Sequence, residues 1–535
     1  MKKIKVKPAV NNIMRKMSSQ KKPPRKTPSP LGDPPVYSVT EPLPPPEATV
    51  VPLEYRTDIM MAVPAKPPLQ EKTSQESPYL PDTNVQGLWQ TFRSNTTMHG
   101  LKYASDIHKY KLRGVIWIVA LLCMGGLLIY TCVDLFNKYI EHSTISNIKV
   151  ELVNELSFPS ITFCNLSPYK RSALKPDGVM DHYLLTLSRM KDFVPEIDYD
   201  HPYYSNLSNP IPDGWIYNVS STVYDFFGAC VDMKDVVQEC EDVLVPKLTD
   251  MGLCFTFNSR EYIKKNGSLI TTSTGSTKSL AFYIMVNQGE YVYSDNMGAG
   301  MKIVVHDPDE EPDTEKGFFA SPGFSSYASL ELTKYKYMPY PHKSMGGGYC
   351  LDTKDASFKH ELIYHETYSR KACLRECKYK FLISKCGCQA PTDFGSERTC
   401  TMREHAECYY VYSAQYANNM TLQNDCQCKT PCEFNTYGAS VTTAYFPSVP
   451  NDWFFQQMGF QDMRSNFMEV RIFFDTLSYL NVEYQAEYDL EKIVATLGGQ
   501  MGIFLGASLL TLSELVEFLV MAALVCCKRF TRRRR

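Results

Sequence analysis

The sequence predicts a membrane protein with two transmembrane helices and a large disulfide-rich α+β extracellular domain, and three observations predict it. First, Val115–Leu135 is an apolar run with no charge before Asp134. It is long enough to cross a hydrocarbon core of roughly 30 Å. A second run extends from about Ile493 to Val525. Neither lies near Met1, so neither reads as a signal peptide. Second, fourteen of the eighteen cysteines fall between Cys164 and Cys432. The others are Cys123 and Cys132 in the first run, and Cys526 and Cys527 at the exit of the second. An even number confined to one stretch reads as seven disulfides formed in an oxidising compartment. Third, five Asn-x-Ser/Thr sequons share that stretch, at Asn165, Asn206, Asn218, Asn266 and Asn419.

Flanking charge orients the spans. Lys102, Lys109, Lys111 and Arg113 precede the first; Lys528, Arg529 and Arg532–Arg535 follow the second. Positive flanks favour the cytoplasm. A multi-pass plasma-membrane protein with both termini cytoplasmic is therefore expected. Net charge is −2 over 535 residues, which implies no nucleic-acid partner.

The expected order is as follows. Residues 1–90 are rich in Pro, Lys and Ser and lack a periodic apolar face, so they read as a disordered cytosolic tail. Within them Pro34-Pro35-Val36-Tyr37 fits the PPxY pattern that docks as polyproline II on a WW domain, such as that of a ubiquitin ligase. Residues 91–113 form a cytosolic pre-membrane segment and 114–136 the first span. Residues 137–490 are extracellular, 491–526 the second span, and 527–535 a short basic tail. After the first span, Ile145, Ile148, Val150 and Leu152 approximate one face of a strand; before the second, Val470, Ile472 and Phe474 recur at period two. These two segments each adjoin a span and could pair.

Enzyme signatures are thin. Gly-x-Ser-x-Gly, a phosphate loop and a dinucleotide fingerprint are absent. His360 and His365 of HELIYH are five apart, so they do not share a helix face as zincin histidines do. Cysteine doublets in an oxidised stretch feed bridges more naturally than zinc. The expectation is a non-enzyme with no cofactor beyond a permeant ion. HDPDEEPDTE concentrates Asp307, Asp309, Glu310 and Glu311, which could bind protons or simply face solvent.

The second span carries Glu514 and Glu517, with Ser508 and Thr511 before them. An ionised carboxylate at mid-bilayer costs about 2.5–3.5 kcal/mol on insertion scales. These side chains must therefore face water, protein or the interface. Spaced every three residues, they trace a slanting polar stripe. Gly498, Gly499, Gly502 and Gly506 precede it, and small residues let backbones approach closely. Non-helical backbone at membrane depth is tolerated where it lines a cavity. Several copies around an axis would make rings of hydroxyls, carbonyls and carboxylates, which attract and sort cations.

On these residues the chain resembles the degenerin/epithelial sodium channel superfamily, especially its acid-sensing and bile-acid-sensitive branches, from about Phe92 to Lys528. His99-Gly100 looks like the family's gating motif, Phe158–Asn165 like its post-membrane strand, and GLCFTFN at Gly252–Asn258 like its ectodomain. LGGQMGIFLGAS looks like its pore helix, with Gly506-Ala507-Ser508 as the selectivity filter and Ala495, Thr496, Gly498 and Gly499 in the gate region. The resemblance implies a trimer, homomeric or heteromeric, with a β-sheet palm and a helical thumb. It implies bridges Cys164–Cys254, Cys230–Cys240, Cys350–Cys432, Cys373–Cys428, Cys377–Cys426, Cys386–Cys408 and Cys388–Cys400. The implied activity is amiloride-sensitive sodium conduction gated from outside, with protons the leading trigger and peptides, bile acids or constitutive opening the alternative. A non-conducting two-pass receptor is the reading from another class.

The chain departs from that pattern. Ser143 and Thr144 stand where the acid-sensing branch has a His pair, and Thr496 replaces the pore-helix aspartate. His142 and His342 occupy the places of an aromatic contact. They are either two unrelated surface histidines or a pair that meets and that acid would charge and separate.

Overall fold

The computed structural model describes residues 85–105, 111–343 and 347–534. Pro34, Pro35 and Tyr37, Lys109 and Arg535 lie outside the described residues. The chain divides into two compact units, which among the described residues comprise 129–497 and, separately, 85–128 with 498–534.

The larger unit is built on two sheets. Strand β1 is Thr144–Leu152, β2 Ser160–Asn165, β3 Phe227–Val231, β4 Leu244–Thr249, β5 Gly252–Phe257, β6 Leu280–Met285, β7 Met301–His306, β8 Phe318–Ala320, β9 Phe324–Lys336, β10 Glu433–Tyr445 and β11 Phe467–Ala486. The seven-stranded sheet runs β10-β9-β11-β6-β3, ends on the short strand Val237–Gln238, and takes β1 as a further partner of β11. The five-stranded sheet runs β8-β7-β2-β5-β4. Pro246, which cannot donate to a ladder, sits on the edge strand β4.

One apolar core joins the sheets. Phe158, Phe163, Ile161, Phe282, Ile303, Leu330 and Phe474 are at most 1% exposed. The Phe163 and Phe282 rings lie 4.7 Å apart and those of Phe158 and Phe474 5.3 Å apart. Val470, Ile472 and Phe474, at the spacing that predicts a strand, all face this core. Strand β1 pairs antiparallel with the far end of β11, from Thr144 opposite Ala486 to Leu152 opposite Ser478. The apolar residues of β1 stay uncovered. Ile148, Val150 and Leu152 are 60%, 69% and 84% exposed. β1 is the edge strand here, outside β11, which also pairs with β9; in-plane pairing satisfies its inner hydrogen bonds without covering its side chains.

Helix α4, Arg370–Cys386, is the longest of this unit's extracellular helices. Ser369 caps its start by accepting the Ala372 N–H, and Gly387 ends it in the left-handed region at φ 65°. Cys373 and Cys377 are four apart and share a face. They reach Cys428 and Cys426. Cys386–Cys408, Cys388–Cys400, Cys350–Cys432, Cys164–Cys254 and Cys230–Cys240 complete seven bridges, the pairs that the resemblance implies.

The smaller unit holds α1, Val85–Asn95, and α2, Leu101–Ser105. Helix α3, Lys111–Ile140, begins in it and continues into the larger unit. The most apolar stretch of α3 has no buried residue, as suits a helix solvated by lipid. The helix exceeds the expected 114–136 by three residues at its start and four at its end. Residues 85–90 correct the expected tail: they are helical, and Trp89 and Phe92 pack on Phe518 at 5.7 and 4.8 Å between ring centroids.

The second span is not one helix. Helix α5, Leu490–Leu505, stops at Gly506-Ala507-Ser508, and α6, Leu509–Arg534, starts anew. Among the described residues, the helices long and apolar enough to cross a membrane are α3 and the Leu509–Cys527 part of α6.

Candidate functional site

The break between α5 and α6 gathers most of the pore residues named from sequence. Gly506 adopts φ 59°, a left-handed stop. A Cβ there would lie 1.8 Å from His99 Nδ1, so only glycine fits. The His99 N–H donates to Leu505 O at 3.2 Å, and His99 Nδ1 lies 3.0 Å from Gly506 O. A carbonyl only accepts, so Nδ1 carries the proton. His99 thereby satisfies two carbonyls that the end of α5 leaves without helical partners. Gly100 turns at φ 85°, where a Cβ would meet Trp117 Cε3 at 2.9 Å. That turn leads into α2, whose Tyr103 stacks on Trp117 at 5.3 Å and lies under Arg113.

Ser508 caps α6. Its N–H donates to Thr511 Oγ1 at 3.0 Å, and its Oγ accepts the Thr511 N–H at 3.3 Å. The reciprocal pair follows capping-box logic, with Thr in the place of Glu. Thr511 is 2% exposed and its hydroxyl also meets that of Thr97. The Thr97 N–H donates to Glu514 Oε2 at 3.2 Å, and its hydroxyl lies 3.5 Å from Oε1. Glu514 is therefore held by neutral donors. No described cation pairs with it. Glu517 is exposed, one turn further along α6. Ala495, Thr496, Gly498 and Gly499 lie on α5, above the break in chain order. Thr97 was missed from the sequence. Its signal is its place two residues before His99, which the turn brings to the same break.

The acidic stretch divides. Glu311 is 5% exposed at its side chain. Its Oε1 accepts Arg375 Nη1 at 2.6 Å and its Oε2 accepts Lys247 Nζ at 2.9 Å, with His365 Nε2 at 3.7 Å. Burial works against its charge, but His365, Lys247 and Arg375 outweigh burial and hold the carboxyl at about 2. Glu311 is thus a member of a buried ion-pair cluster. His365 Nδ1 donates to Glu376 Oε1 at 2.9 Å. Glu376 also accepts the N–H groups of Ile363 and Tyr364, so HELIYH is a loop pinned to α4. Among the described residues no His/Cys/Asp/Glu group could hold a metal.

Glu310 is the opposite case. Burial, then the Asp307 charge, pushes its carboxyl up to about 7, with Lys316 acting against them and Asp313 adding to them. Asp307 accepts Asn435 Nδ2 at 2.7 Å, and Asp309 lies 3.4 Å from Arg260 Nη1. His306, at the end of β7, is buried; Thr162 lies 2.8 Å from its Nε2, and Nδ1 donates to Asp307 O. Burial pushes its pKa down.

His142 and His342 do meet. Their ring centroids are 5.2 Å apart, edge to face, with His142 at φ 53°. Of the sequons, Asn206, Asn218 and Asn266 are exposed and Asn419 is half-buried at a helix cap. Asn165 is 8% exposed and its Oδ1 accepts the Tyr291 hydroxyl at 2.6 Å.

With this geometry in view, the relatives are informative. A family model described as amiloride-sensitive sodium channel matches residues 92–518. Acid-sensing ion channel 1 of Gallus gallus is 27% identical over 462 residues, covering 80% of this chain and 83% of its own. Acid-sensing ion channel 1C of Danio rerio is 26% identical over 454 residues, with the same two coverages. A cryo-EM structure of a proton-activated chloride channel superposes with a TM-score of 0.27 at 7% identity, over 77% of this chain and 98% of its own, and carries no argument.

Proposed function

The chain belongs to the amiloride-sensitive sodium channel family, and from that premise we propose that it assembles as a trimer, homomeric or with related subunits, conducting sodium across the plasma membrane. Both termini lie in the cytoplasm, and amiloride blocks the current. The observation that carries the reading is the break at Gly506-Ala507-Ser508. Backbone at membrane depth outside a helix needs a water-lined cavity. Thr511 and Glu514 follow the break, and Glu514 contacts Thr97 and no described cation. Copies of this arrangement around an axis would present the oxygen ring and carboxylate ring that a cation filter uses.

Extracellular protons are the proposed trigger. The two relatives of this chain named above are acid-sensing channels, and Glu310, its carboxyl pushed up to about 7, supplies a group that titrates in mild acid. Peptide or bile-acid gating is the second reading, favoured by Ser143 and Thr144 in place of the acid-sensing His pair. The test is expression of the chain alone, with external pH stepped from about 7.5 to about 5 under voltage clamp, then neuropeptides and bile acids at constant pH. An amiloride-sensitive current reversing near the sodium potential supports the reading. Silence to every stimulus, with the protein at the cell surface, overturns conduction by the homomer. Current only with peptides or bile acids replaces the trigger.

A further inference from the structure

Strand β1 has a partner on one edge only. It pairs with β11 along its whole length without a register shift, and no described strand lies on its other edge. The parity of the ladder says which backbone groups face outward. Ser143 O accepts the Glu487 N–H at 2.9 Å, and the Val153 N–H donates to Leu477 O at 3.0 Å. In an antiparallel pair such residues alternate with ones whose N–H and C=O both point away from the partner. The odd-numbered residues of β1 therefore face β11, while Ser146, Ile148, Val150 and Leu152 direct their backbone groups outward.

The same even-numbered residues carry the uncovered apolar side chains, and exposure rises from Ile148 to Leu152, away from the first span. From Thr144 to Leu152 an extended strand covers about 26 Å, more than the depth of a headgroup layer, so lipid around the end of α3 does not account for the far half of β1. Folded proteins usually blunt such an edge with a proline, a bulge or an inward-pointing charge. The outward-directed residues of β1 have none of the three. On the opposite face, the Lys149 ammonium has no ion pair or side-chain hydrogen bond among the described residues. Its neighbour Glu151 is taken by the Tyr479 hydroxyl and by Asn481 Nδ2 at 2.8 Å.

We propose that the outer edge of β1 is a docking site for a soluble extended peptide, which adds a strand to the seven-stranded sheet. Outward backbone donors and acceptors select an extended chain over a helix or an acyl chain. Ile148, Val150 and Leu152 take apolar side chains at alternate positions of the peptide, and Lys149 takes an acidic one on the other face. Helix α3 ends at Ile140, just before the strand begins. The bilayer there crowds a bulky folded partner but leaves room for a single strand. The site is argued from the strand alone and stands whichever stimulus opens the channel.

The test uses the purified full-length chain in lipid nanodiscs and the fluorescently labelled peptide TVTVEVTVT, followed by anisotropy. Saturable binding below about 1 mM is expected. Val150→Pro removes an outward N–H at a place where an edge strand tolerates proline. It should weaken binding about tenfold or more with an unchanged unfolding midpoint. N-methylation of alternate peptide amides should abolish binding for one set and spare it for the other, because only one set faces β1. Lys149→Glu should weaken binding, and exchanging the peptide's glutamate for lysine should restore it; if Val150→Pro lowers the midpoint, this charge swap decides. No binding at about 1 mM overturns the proposal, as does equal affinity of the two N-methylated forms. Leu152→Cys tests the other occupants. Rapid labelling by a membrane-impermeant maleimide is expected. Cross-linking between subunits assigns the edge to a second copy of this chain, and labelling only after lipid removal assigns it to the bilayer; either result overturns the proposal.

Discussion

Glu311, at the root of α4, and Glu514, at the helix break, are both acidic side chains withdrawn from bulk water, and the protein treats them differently. Glu311 is enclosed by built-in cations, Arg375 and Lys247, and adds nothing to the local field that they do not cancel. Glu514 meets an N–H and a hydroxyl of Thr97 and has no ion pair among the described residues. The first arrangement ties segments together. The second leaves a charge available to something that moves. Glu310, one residue from Glu311, has only the more distant Lys316 charge to set against burial and Asp307.

The comparison can be broken most forcefully at Glu311. Glu311→Gln leaves Arg375 and Lys247 without their counter-charge, and breaking such a pair costs about 3–5 kcal/mol. A large fall in the thermal unfolding midpoint of the purified chain is expected, partly restored by adding Arg375→Met. An unchanged midpoint would mean that the cluster is not structural. The pH dependence has a definite sign. The folded-state pKa of Glu311 is depressed, so its contribution is complete above the ordinary glutamate pKa and fades as pH falls towards about 2.

Gly506→Ala is next in size. The left-handed backbone and the His99 ring both oppose a Cβ. Strained backbone alone costs about 1–3 kcal/mol, and loss of current with retained surface expression is the expected readout. Glu310 comes third, with the reverse sign to Glu311. Its folded-state pKa is raised to about 7, so the native state holds an extra proton between the ordinary glutamate value and about 7. Stability should decline as pH rises through that window, and Glu310→Gln should flatten the profile in paired melting curves.

Glu514→Gln sharpens the contrast from the membrane side. Neutral donors remain satisfied, so the midpoint should move by about 1 kcal/mol or less, while single-channel sodium conductance falls. The smallest effect is expected from His142→Ala with His342→Ala, a modest shift of the pH–current relation. If that relation is unmoved, the histidines are only neighbours.

Where the chemistry was one-dimensional, the sequence was readable. Alternation in β11, the apolar length of α3 and the cysteine spacing on α4 each reflect a local period that folding preserves. The stripe from Ser508 to Glu517 was visible for the same reason. What stayed hidden depends on distant segments. Thr97 gains meaning only when a turn at Gly100 sets it against Glu514, over four hundred residues away. Glu310 and Glu311 look identical in the sequence, and His365, Lys247 and Arg375 separate them. Period two in β1 marked its apolar face but not its exposure, because exposure is decided by what the sheet leaves uncovered.

Strand β11 pairs with β6 near its start and with β1 near its end, then leads within a few residues into α5. At about 3.3 Å per residue an extended strand is already close to its contour length. It is not uniform, however: between Phe474 and Tyr479 four of its residues pass the single residue Glu331 of β9. A tug at Phe467 is therefore taken up first at that bulge, and the compliance of this linkage resides in the cable itself.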